Sequence, residues 1–453
     1  MIPFPIKHSG CLKGKLELSG DKSITHRAII FGSLAKGKTR INNPAVNKDC
    51  FYTIQALRKL GIRITGFRTS TKSIMLFGKG LYGLKKPKGP IFVGDSGTTF
   101  RLMAGLLAGQ KFNSVLTCAK SLLRRPMKRV IQPLRLMGAK ISGKKKNGEF
   151  YPPVRIRPGN LKGVTYKMPV ASAQVKSAII LAGLFAKNKT KIIEILKTRD
   201  HTERMLKLFR ADLSVRGRNI IIRPGKDLVS PRVINVPADI SSAAFFIVAC
   251  LLLEGSNLKI KSVSLNPGRI GLIKALKRMG AKIEIQNSKS PYLSQAGRIR
   301  NYEPRGDLIV KYSKLKGITI GKDQIPSLID ELPILMVAAS LAEGKTRLIG
   351  VEELRVKETD RVNSLITNLK RMGAKINVKI INRRQSIVIE GVRSLRGAGL
   401  KSFGDHRTAM SLIVAGLTAK GKSSIDDVSC LKKSFPDFIP KLKQLLKPVK
   451  DAN

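Results

Sequence analysis

The 453-residue chain is short of acidic residues. It has 29 Asp and Glu against 86 Lys and Arg, a net charge of +57, and it has no Trp and only 5% aromatic residues. Such an excess fits a nucleic-acid-binding protein, an enzyme that attracts small anions, or a lysine-rich solvated surface. The basic residues are scattered, with a longest run at 144–146, and no basic tail or aromatic RNA-binding motif is present. We favour the solvated surface, with attraction of anions as a by-product.

Cysteine and histidine are also scarce. The five cysteines (11, 50, 118, 250, 430) never form a CxxC pair, and the four histidines (8, 26, 201, 406) lack metal-ligand spacing. This pattern predicts reduced thiols in a cytoplasmic protein without a metal site. The N-terminus lacks the layout of a signal peptide. The longest apolar run, 243–253, is too short to span a bilayer and predicts a buried helix.

One repeated pattern ends an amphipathic helix at a glycine and continues as a strand. Its strong copies are "LRKLGIRI" (57–64), "LRLMGAKI" (134–141) and "LKRMGAKI" (276–283 and 369–376), and its weak copies are "LKLFRADLSV" (206–215) and "IPKLKQLLKPV" (439–449). In the last strong copy Val362, Leu365, Ile366, Leu369 and Met372 share one helical face. Gly373 then suits a left-handed cap, and "KINVKI" alternates as a strand does.

A second pattern begins with small polar residues suited to helix capping and continues as an almost wholly apolar helix. A small-residue turn and a strand follow. The six copies start at residues 21, 95, 171, 239, 330 and 405. Together the two patterns predict an α/β protein made of six βαβαββ-type units. The polar segment 287–306 is predicted to be a loop insertion.

Two turns in this second pattern match the phosphate-loop consensus GxxxxGK[ST]: "GSLAKGKT" (32–39) and "GLTAKGKS" (416–423). A phosphate loop leaves a strand and opens a helix. Here Gly37 and Gly421 close an apolar helix and lead into a strand, so the sequence predicts a helix-to-strand turn. "GKGLYG" (78–83) matches GxGxxG, but no helix is predicted after it, which excludes a dinucleotide site.

The opposite ends of the apolar helices carry the candidate chemistry. If several of these ends converge, their dipoles, their backbone amides and the hydroxyls of Ser23, Thr98 and Ser172 would bind phosphate. Four arginines in or near the same segments can bind carboxylate or phosphate with two hydrogen bonds. These arginines are Arg27, Arg101, Arg125 and Arg407. For each arginine alone, an ordinary surface cation is the simpler interpretation, and only the repeated context favours a site.

Seven segments, in order along nearly the whole chain, resemble the signature segments of the 5-enolpyruvylshikimate-3-phosphate (EPSP) synthase family. They are "GDKSITHRA", "GDSGTTFRL", "RPMKRV", "ASAQVKSA", "IDELPIL", "RVKETDR" and "GDHRTAMS". The resemblance implies a two-domain enolpyruvyl transferase-like fold with three repeats in each domain. Residues 1–20 and 240–453 would form one domain and 21–239 the other, with the active site in the cleft between them.

The activity implied by the resemblance is transfer of the enolpyruvyl group of phosphoenolpyruvate to the 5-hydroxyl of shikimate 3-phosphate. Phosphate is released through a tetrahedral intermediate, as a step of the shikimate pathway toward chorismate and the aromatic amino acids. The reaction needs no cofactor or metal. The partners would be the two substrates alone, without nucleic acid or membrane, and the protein is expected to be a cytoplasmic monomer.

The resemblance also implies the site residues. The catalytic residues would be Asp330 as the base, Glu358 as the proton donor, Lys22 and Lys357. The residues around shikimate 3-phosphate would be Lys22, Ser23, Arg27, Ser172, Ala173, Gln174, Asp330 and Lys357. The residues around phosphoenolpyruvate would be Lys22, Gly97, Arg125, Gln174, Arg361, Arg407 and Lys433. The substrates bring two phosphoryl groups and two carboxylates, which explains the demand for cations.

Three positions depart from the common family pattern. Asp95 stands where many members have Asn, Ala173 replaces a Ser found in some members, and Arg199 stands where others use Tyr. Arg199 resembles the subgroup that is insensitive to the inhibitor glyphosate, whereas Gly97 resembles the sensitive pattern. Because the added methyl group of an alanine is missing at Gly97, we expect inhibition.

Two alternatives remain open from the sequence. A UDP-N-acetylglucosamine enolpyruvyl transferase would share the repeats, and Cys118 lies close to the loop where that family has a cysteine. However, that family has "KN" rather than "KS" at 22–23, and "DHR" and "RVKETDR" do not fit it. The other alternative is a basic nucleic-acid-binding protein with an inactive site, against which the intact Lys22, Arg27 and Asp330 argue.

Overall fold

The computed structural model describes residues 3–8, 10–67, 72–289, 303–355, 357–381 and 384–448. Of these, the residues within 1–18, 238–290 and 304–453 form one compact unit, here unit 1. Those within 19–237 and 291–303 form the second, here unit 2. Most of the predicted loop insertion, 290–302, lies outside the described residues.

Thirteen helices lie in the described chain, and each unit contains both kinds of helix that the repeats predict. The helices are α1 (Lys22–Leu34), α2 (Lys48–Lys59), α3 (Gly97–Ala108), α4 (Lys120–Leu123), α5 (Lys128–Leu136), α6 (Ala173–Gly183), α7 (His201–Leu208), α8 (Ile240–Leu252), α9 (Gly271–Arg278), α10 (Leu332–Ser340), α11 (Arg361–Arg371), α12 (His406–Thr418) and α13 (Phe438–Leu445).

The strands of the described chain are short. They are β1 (Phe4–Ile6), β2 (Cys11–Leu16), β3 (Lys36–Asn42), β4 (Arg63–Thr65), β5 (Ser73–Lys79), β6 (Ile91–Phe92), β7 (Ser114–Thr117), β8 (Lys140–Lys146), β9 (Glu149–Arg157), β10 (Thr165–Lys167), β11 (Thr190–Ile193), β12 (Leu213–Arg216), β13 (Asn219–Ile222), β14 (Val233–Asn235), β15 (Asn257–Ser264), β16 (Lys282–Lys289), β17 (Arg305–Lys311), β18 (Thr319–Ile320), β19 (Lys345–Ile349), β20 (Lys375–Ile381), β21 (Arg384–Glu390), β22 (Gly399–Leu400), β23 (Ser423–Ile425) and β24 (Leu446–Lys447).

Each unit contains three sheets with a shared strand pattern. In unit 2 the orders are β14-β3-β5-β4, β6-β7-β9-β8 and β10-β11-β13-β12. In each of these the first pair is parallel and the next two pairs are antiparallel. In unit 1 the orders are β18-β19-β21-β20, β16-β17-β15-β2-β24 and β1-β23-β22. This repetition confirms the predicted α/β fold of six related units, three in each half of the molecule.

The apolar helices form the core of each unit. In unit 2, α3 packs against α1 and α6, and in unit 1 the helices α8, α10 and α12 pack against one another. The predicted buried helix at 243–253 is confirmed, because α8 is buried along nearly its whole length. The amphipathic helices cover these cores. In α11 the side chains of Val362, Leu365 and Leu369 are buried as the periodicity predicts.

The glycine after each strong amphipathic helix adopts the left-handed backbone that the sequence predicts. Gly61, Gly138, Gly280 and Gly373 have φ between +86° and +93°. The weak copy after α7 has Arg210 in the same conformation, with φ +62°. A side chain is therefore tolerated there at a cost in backbone strain.

The phosphate-loop matches are helix-to-strand turns, as predicted. Gly37 lies in β3, directly after α1, and Gly421 lies between α12 and β23. The residues after "GKGLYG" stay non-helical as far as α3, so a dinucleotide loop is absent from the described residues 80–96.

Polar side chains cap the starts of five of the six apolar helices. Asp21 accepts from Ile24 N, Ser96 from Thr99 N and Ser172 from Val175 N in unit 2. In unit 1, Asp239 and Asp405 cap α8 and α12. The sixth helix, α10, has no side-chain cap hydrogen bond and begins with a proline in its first turn.

All five cysteines are free thiols. Across the described residues, His, Cys, Asp and Glu side chains form no group of three that could hold a metal ion. A helix long and apolar enough to cross a membrane is likewise absent from that part of the chain.

Candidate active site

The carboxylate of Asp330 lies among three cations in unit 1. Its Oδ1 is 3.8 Å from Lys357 Nζ and 3.7 Å from Arg361 Nη1, and its Oδ2 is 3.5 Å from Arg269 Nη1. Asp330 precedes α10, and its backbone carbonyl accepts a 2.6 Å hydrogen bond from Arg407 Nη1. The carboxylate is thus held in place while its side chain stays 16% exposed, enough to meet a ligand.

Arg361 connects this carboxylate to two others. Its Nη2 donates to Glu358 Oε2 at 2.6 Å, and its Nε donates to Asp405 Oδ2 at 2.8 Å. Burial opposes the charge on Arg361, but Asp405, Glu358 and Asp330 outweigh it and hold its pKa above the ordinary value. Burial also opposes the charge on Asp405, and Arg361 outweighs it and lowers the pKa of that carboxyl. The pair is therefore ionised at neutral pH.

Of the two further predicted residues of unit 1, Arg407 contacts this cluster and Lys433 does not. Arg407 lies in the first turn of α12, and its Nη1 is 3.6 Å from Glu331 Oε1. Lys433 is half-buried at the end of the short 3-10 helix Ser429–Lys433. Among the described residues of unit 1, Lys433 forms no ion pair with the carboxylates around Arg361. The structure therefore brings five of the six predicted residues of unit 1 together.

The predicted residues of unit 2 lie in the first two turns of α1 and at the starts of α3 and α6, except Arg125, which lies between α4 and α5. Lys22 opens α1, and its Nζ contacts Asp49 Oδ2 at 2.9 Å in the first turn of α2. Ser172 caps α6, and Ala173 and Gln174 begin that helix. All three side chains in this α6 segment are half-buried.

Arg27 is deeply buried, with 3% exposure. Its Nε donates to Thr202 Oγ1 at 2.7 Å, its Nη2 to Ser177 Oγ at 2.8 Å and its Nη1 to Ser23 O at 2.9 Å. Burial lowers the pKa of Arg27 to about 10, which leaves it charged at neutral pH. Each of its nitrogens is thus engaged within unit 2.

Gly97 lies beneath two arginines. A Cβ there would lie 2.7 Å from Arg101 Nη1 and 3.1 Å from Arg125 Nη1. Arg101 Nη1 donates to Gln174 Oε1 at 2.9 Å, and Gln174 Nε2 donates to Thr98 Oγ1 at 2.9 Å. The glycine therefore allows the arginines to approach the start of α3.

The structure shows the surroundings of three residues of unit 2 that the sequence analysis named: Asp95, Cys118 and His26. Asp95, a departure from the family pattern, accepts a hydrogen bond from Ser121 Oγ. Burial, with Asp95 adding, raises the pKa of the Cys118 thiol to about 12, so it is not an activated nucleophile. Burial lowers the pKa of His26 to about 3, and its Nδ1 lies 2.7 Å from Thr53 Oγ1, which makes it a neutral core residue.

Sequence reasoning missed four charged residues that hold these clusters. Asp405 had a usable signal, because it opens "GDHR" at a helix start. Glu331 had a similar signal in "IDELPIL", whereas Asp49 and Arg269 had none, since their partners lie far away in the sequence. Arg269 is 3% exposed and contacts Asp330 at 3.5 Å and Glu331 at 3.6 Å.

The geometry defines a class of protein: a six-repeat α/β protein whose helix starts gather arginine and lysine, in one unit beside paired carboxylates. The family model for EPSP synthase (3-phosphoshikimate 1-carboxyvinyltransferase) matches residues 6–442. The chain therefore belongs to the EPSP synthase family.

Curated relatives and solved structures agree with this assignment. The chain is 47% identical over 437 residues to the 3-phosphoshikimate 1-carboxyvinyltransferase of Thermoanaerobacter sp. (strain X514), covering 96% of this chain and 98% of the relative. It is 44% identical over 448 residues to the protein of the same name from Geotalea uraniireducens (strain Rf4), covering 99% and 100%. A solved EPSP synthase from Acinetobacter baumannii matches with a TM-score of 0.84 at 41% identity, covering 98% of each chain.

Proposed function

We propose that this chain transfers the enolpyruvyl group of phosphoenolpyruvate to the 5-hydroxyl of shikimate 3-phosphate and releases phosphate. Family membership supports the reaction. The single observation that supports the residue roles is the position of Arg361. One buried guanidinium contacts the predicted base Asp330 at 3.7 Å and the predicted acid Glu358 at 2.6 Å. Acid and base are thereby held close to one another, as coupled proton transfers require.

The chemistry follows from these positions. Glu358, in its protonated form, gives a proton to the methylene carbon of phosphoenolpyruvate, and the adjacent carbon becomes electron-poor. The 5-hydroxyl oxygen bonds to that carbon while its proton passes to Asp330, giving the tetrahedral adduct. Glu358, now a carboxylate, then takes a proton from the methyl group as the carbon–oxygen bond to phosphate breaks. Asp330 returns its proton to the departing phosphate, so both groups end as they began.

The binding residues are assigned from the family resemblance, and the charge of their lysines and arginines suits anionic substrates. Lys22, Ser23, Arg27, Ser172, Ala173 and Gln174 would serve shikimate 3-phosphate, with Asp330 and Lys357 at its 5-hydroxyl. Lys22, Gly97, Arg125, Gln174, Arg361, Arg407 and Lys433 would serve phosphoenolpyruvate. We propose two domains, residues 1–20 with 240–453 and residues 21–239, with the active site in the cleft between them. Bound anions offset the clustered cations there.

We propose that Arg27 acts on the substrate indirectly, through Ser23. Because its nitrogens already donate to Ser23 O, Ser177 and Thr202, its main contribution is to shape the start of α1 and to add positive potential. We further propose that the protein is a cytoplasmic monomer, and the lack of a disulfide among its five cysteines fits a reducing compartment.

The decisive assay measures phosphate release. Purified protein is given phosphoenolpyruvate with shikimate 3-phosphate, and in parallel reactions with UDP-N-acetylglucosamine or with ATP. Release only in the first reaction supports the proposal. Release with UDP-N-acetylglucosamine instead, or tight salt-dependent binding of DNA or RNA without any release, would contradict it.

Gly97→Ala tests the phosphoenolpyruvate assignment. The added methyl group meets the ends of the Arg101 and Arg125 side chains, which can move, so the variant should fold normally. Displacing Arg125 should raise KM for phosphoenolpyruvate about tenfold, whereas KM for shikimate 3-phosphate, affected only through the Arg101–Gln174 bond, should rise less than about threefold. The wild type should be inhibited by glyphosate, and the variant should need more of it.

A matched control is Gly321→Ala, since a Cβ at Gly321 has nothing within 4 Å. It should match the wild type in every constant. Equal changes in the two KM values of Gly97→Ala would remove Gly97 from the phosphoenolpyruvate site.

A further inference from the structure

Lys176 is a buried cation inside the apolar helix α6. Its side chain is 1% exposed, and it lies one turn beyond Ser172 and Ala173. A cation so near the start of a helix gains nothing from the helix dipole, which is positive there. Its burial therefore needs partners of opposite charge.

Two buried glutamates supply that charge. Lys176 Nζ lies 2.6 Å from Glu203 Oε1 on α7 and 3.0 Å from Glu194 Oε1, directly after β11. Burial opposes the charge on Lys176, but the two carboxylates outweigh it and raise its pKa. The lysine therefore stays an ammonium group that fastens α6 to α7 and to the segment after β11.

The glutamates extend this connection to a loop. Glu194 Oε1 also accepts from Thr198 N at 3.0 Å and from Thr198 Oγ1 at 2.5 Å. This contact fixes the turn that carries Arg199, one of the departures from the family pattern. Glu194 thus connects Lys176 to the turn at residues 194–199.

A layer of hydroxyl groups lies beside the charged layer. Ser177 follows Lys176, Thr202 precedes Glu203, and their hydroxyl oxygens are 2.6 Å apart. Arg27 donates to both, and Ser177 Oγ also donates to Ala173 O at 2.7 Å. The same contacts therefore reach Ser23, through Arg27, and Ala173, two predicted substrate residues on different helices.

We propose that Lys176 is a positioning residue for the anion-binding half of unit 2. It holds Glu194 and Glu203 in place, so that three segments form one prearranged site for shikimate 3-phosphate. These segments are Ser23–Arg27, Ser172–Gln174 and Thr198–Arg199. This rests on the proposed function. A buried ion pair gives little net stability compared with an apolar replacement, whereas it does fix geometry. The benefit of the lysine should accordingly appear in binding of shikimate 3-phosphate rather than in the proton transfers, whose groups belong to unit 1.

The test measures binding and turnover separately. Calorimetry gives the Kd of shikimate 3-phosphate alone, and steady-state phosphate release gives kcat and both KM values. The principal variant is Lys176→Met/Glu203→Gln, which removes the cation without leaving two uncompensated carboxylates. We expect Kd and KM for shikimate 3-phosphate to rise at least about tenfold, with kcat and KM for phosphoenolpyruvate within about threefold. The single variant Lys176→Arg keeps the positive charge and should have most of the wild-type affinity for shikimate 3-phosphate.

If the double variant does not fold, the single variant Glu194→Gln tests the positioning role instead. It keeps the Lys176–Glu203 ion pair and an acceptor for Thr198, and it should raise Kd about threefold or more. The matched control is Lys261→Met, which breaks a lysine–carboxylate pair of 2.5 Å with Asp307 in unit 1. It should alter thermal stability without altering Kd.

The outcomes separate the two proposals. If the wild type binds shikimate 3-phosphate and a folded Lys176 or Glu194 variant binds it equally well, the positioning role is wrong and the proposed function stands. If kcat and both KM values change together, the role is general packing and the proposal is equally wrong. If the wild type does not bind shikimate 3-phosphate at all, the proposed function fails and the positioning role fails with it.

Discussion

Asp330→Asn should reduce kcat by about a thousandfold or more while leaving the protein folded, within the usual range for a general base. The amide has the shape of the carboxylate, so Arg407 can still bond to the backbone carbonyl of residue 330, a contact of 2.6 Å in the native chain. It cannot accept the proton of the 5-hydroxyl. It also loses the charge that faces Lys357, Arg361 and Arg269 at 3.5–3.8 Å.

The measurement pairs turnover with binding. Single-turnover phosphate release reports the chemical step, and calorimetry with shikimate 3-phosphate reports whether the site is still formed. Asp307→Asn is the control, because Asp307 is also a carboxylate of unit 1 paired with a lysine, Lys261. It should keep wild-type turnover. An Asp330→Asn variant with more than about a tenth of wild-type kcat would show that another group takes the proton.

The sequence predicts the helices and their faces because both are local properties. The apolar run at 243–253 can only be buried, and it forms the core helix α8. The glycine after each strong amphipathic helix needs the left-handed conformation, and all four have it. The sequence also identifies the phosphate-loop matches as helix-to-strand turns, because the residues that end a helix act locally and do not depend on distant residues.

The partners of the site residues depend on pairs that the sequence does not reveal. Asp49 contacts Lys22 from a different helix, and Arg269 reaches Asp330 across 61 positions. No rule of sequence spacing predicts either of these two pairs. Arg27 is a further example: its motif predicts ligand contact, which stays a prediction, but gives no sign that its nitrogens donate to Ser23, Ser177 and Thr202. A motif therefore locates a functional segment better than it assigns the contacts of each side chain.

The net charge of the chain explains why the sequence motifs and the side-chain contacts in the structure complement each other. A chain of net charge +57 has cations at nearly every surface, so their number cannot single out a site. Carboxylates are the scarce component, and the buried ones mark the places where charge is organised. Asp405, Glu331, Glu194 and Glu203 are all at most 5% exposed, and each contacts a buried cation. In this protein the buried acidic residues therefore locate the charged clusters better than the basic residues do.

Arg361→Met should remove activity and also destabilise unit 1 by about 3–5 kcal/mol at neutral pH, the usual cost of leaving a buried carboxylate without its partner. Asp405 is fully buried and loses the guanidinium 2.8 Å away. In the wild type, Arg361 holds the pKa of Asp405 below its ordinary value, so their pairing stabilises the fold above about pH 4 and is lost as pH falls. The stability difference between variant and wild type should accordingly shrink on acidification, as protonation makes Asp405 neutral in the variant.

Lys357→Met is the matched comparison for this prediction, since Lys357 faces the same carboxylate at nearly the same distance. Lys357 Nζ is 3.8 Å from Asp330 Oδ1 and Arg361 Nη1 is 3.7 Å away, but their side chains are 23% and 1% exposed. Both variants should lose turnover, whereas only Arg361→Met should lower the unfolding free energy by more than about 1 kcal/mol. Urea unfolding at several pH values measures this. Equal destabilisation of the two would mean that the ion pair with Asp405 does not set the stability of this cluster, and that Arg361 acts through Asp330 alone.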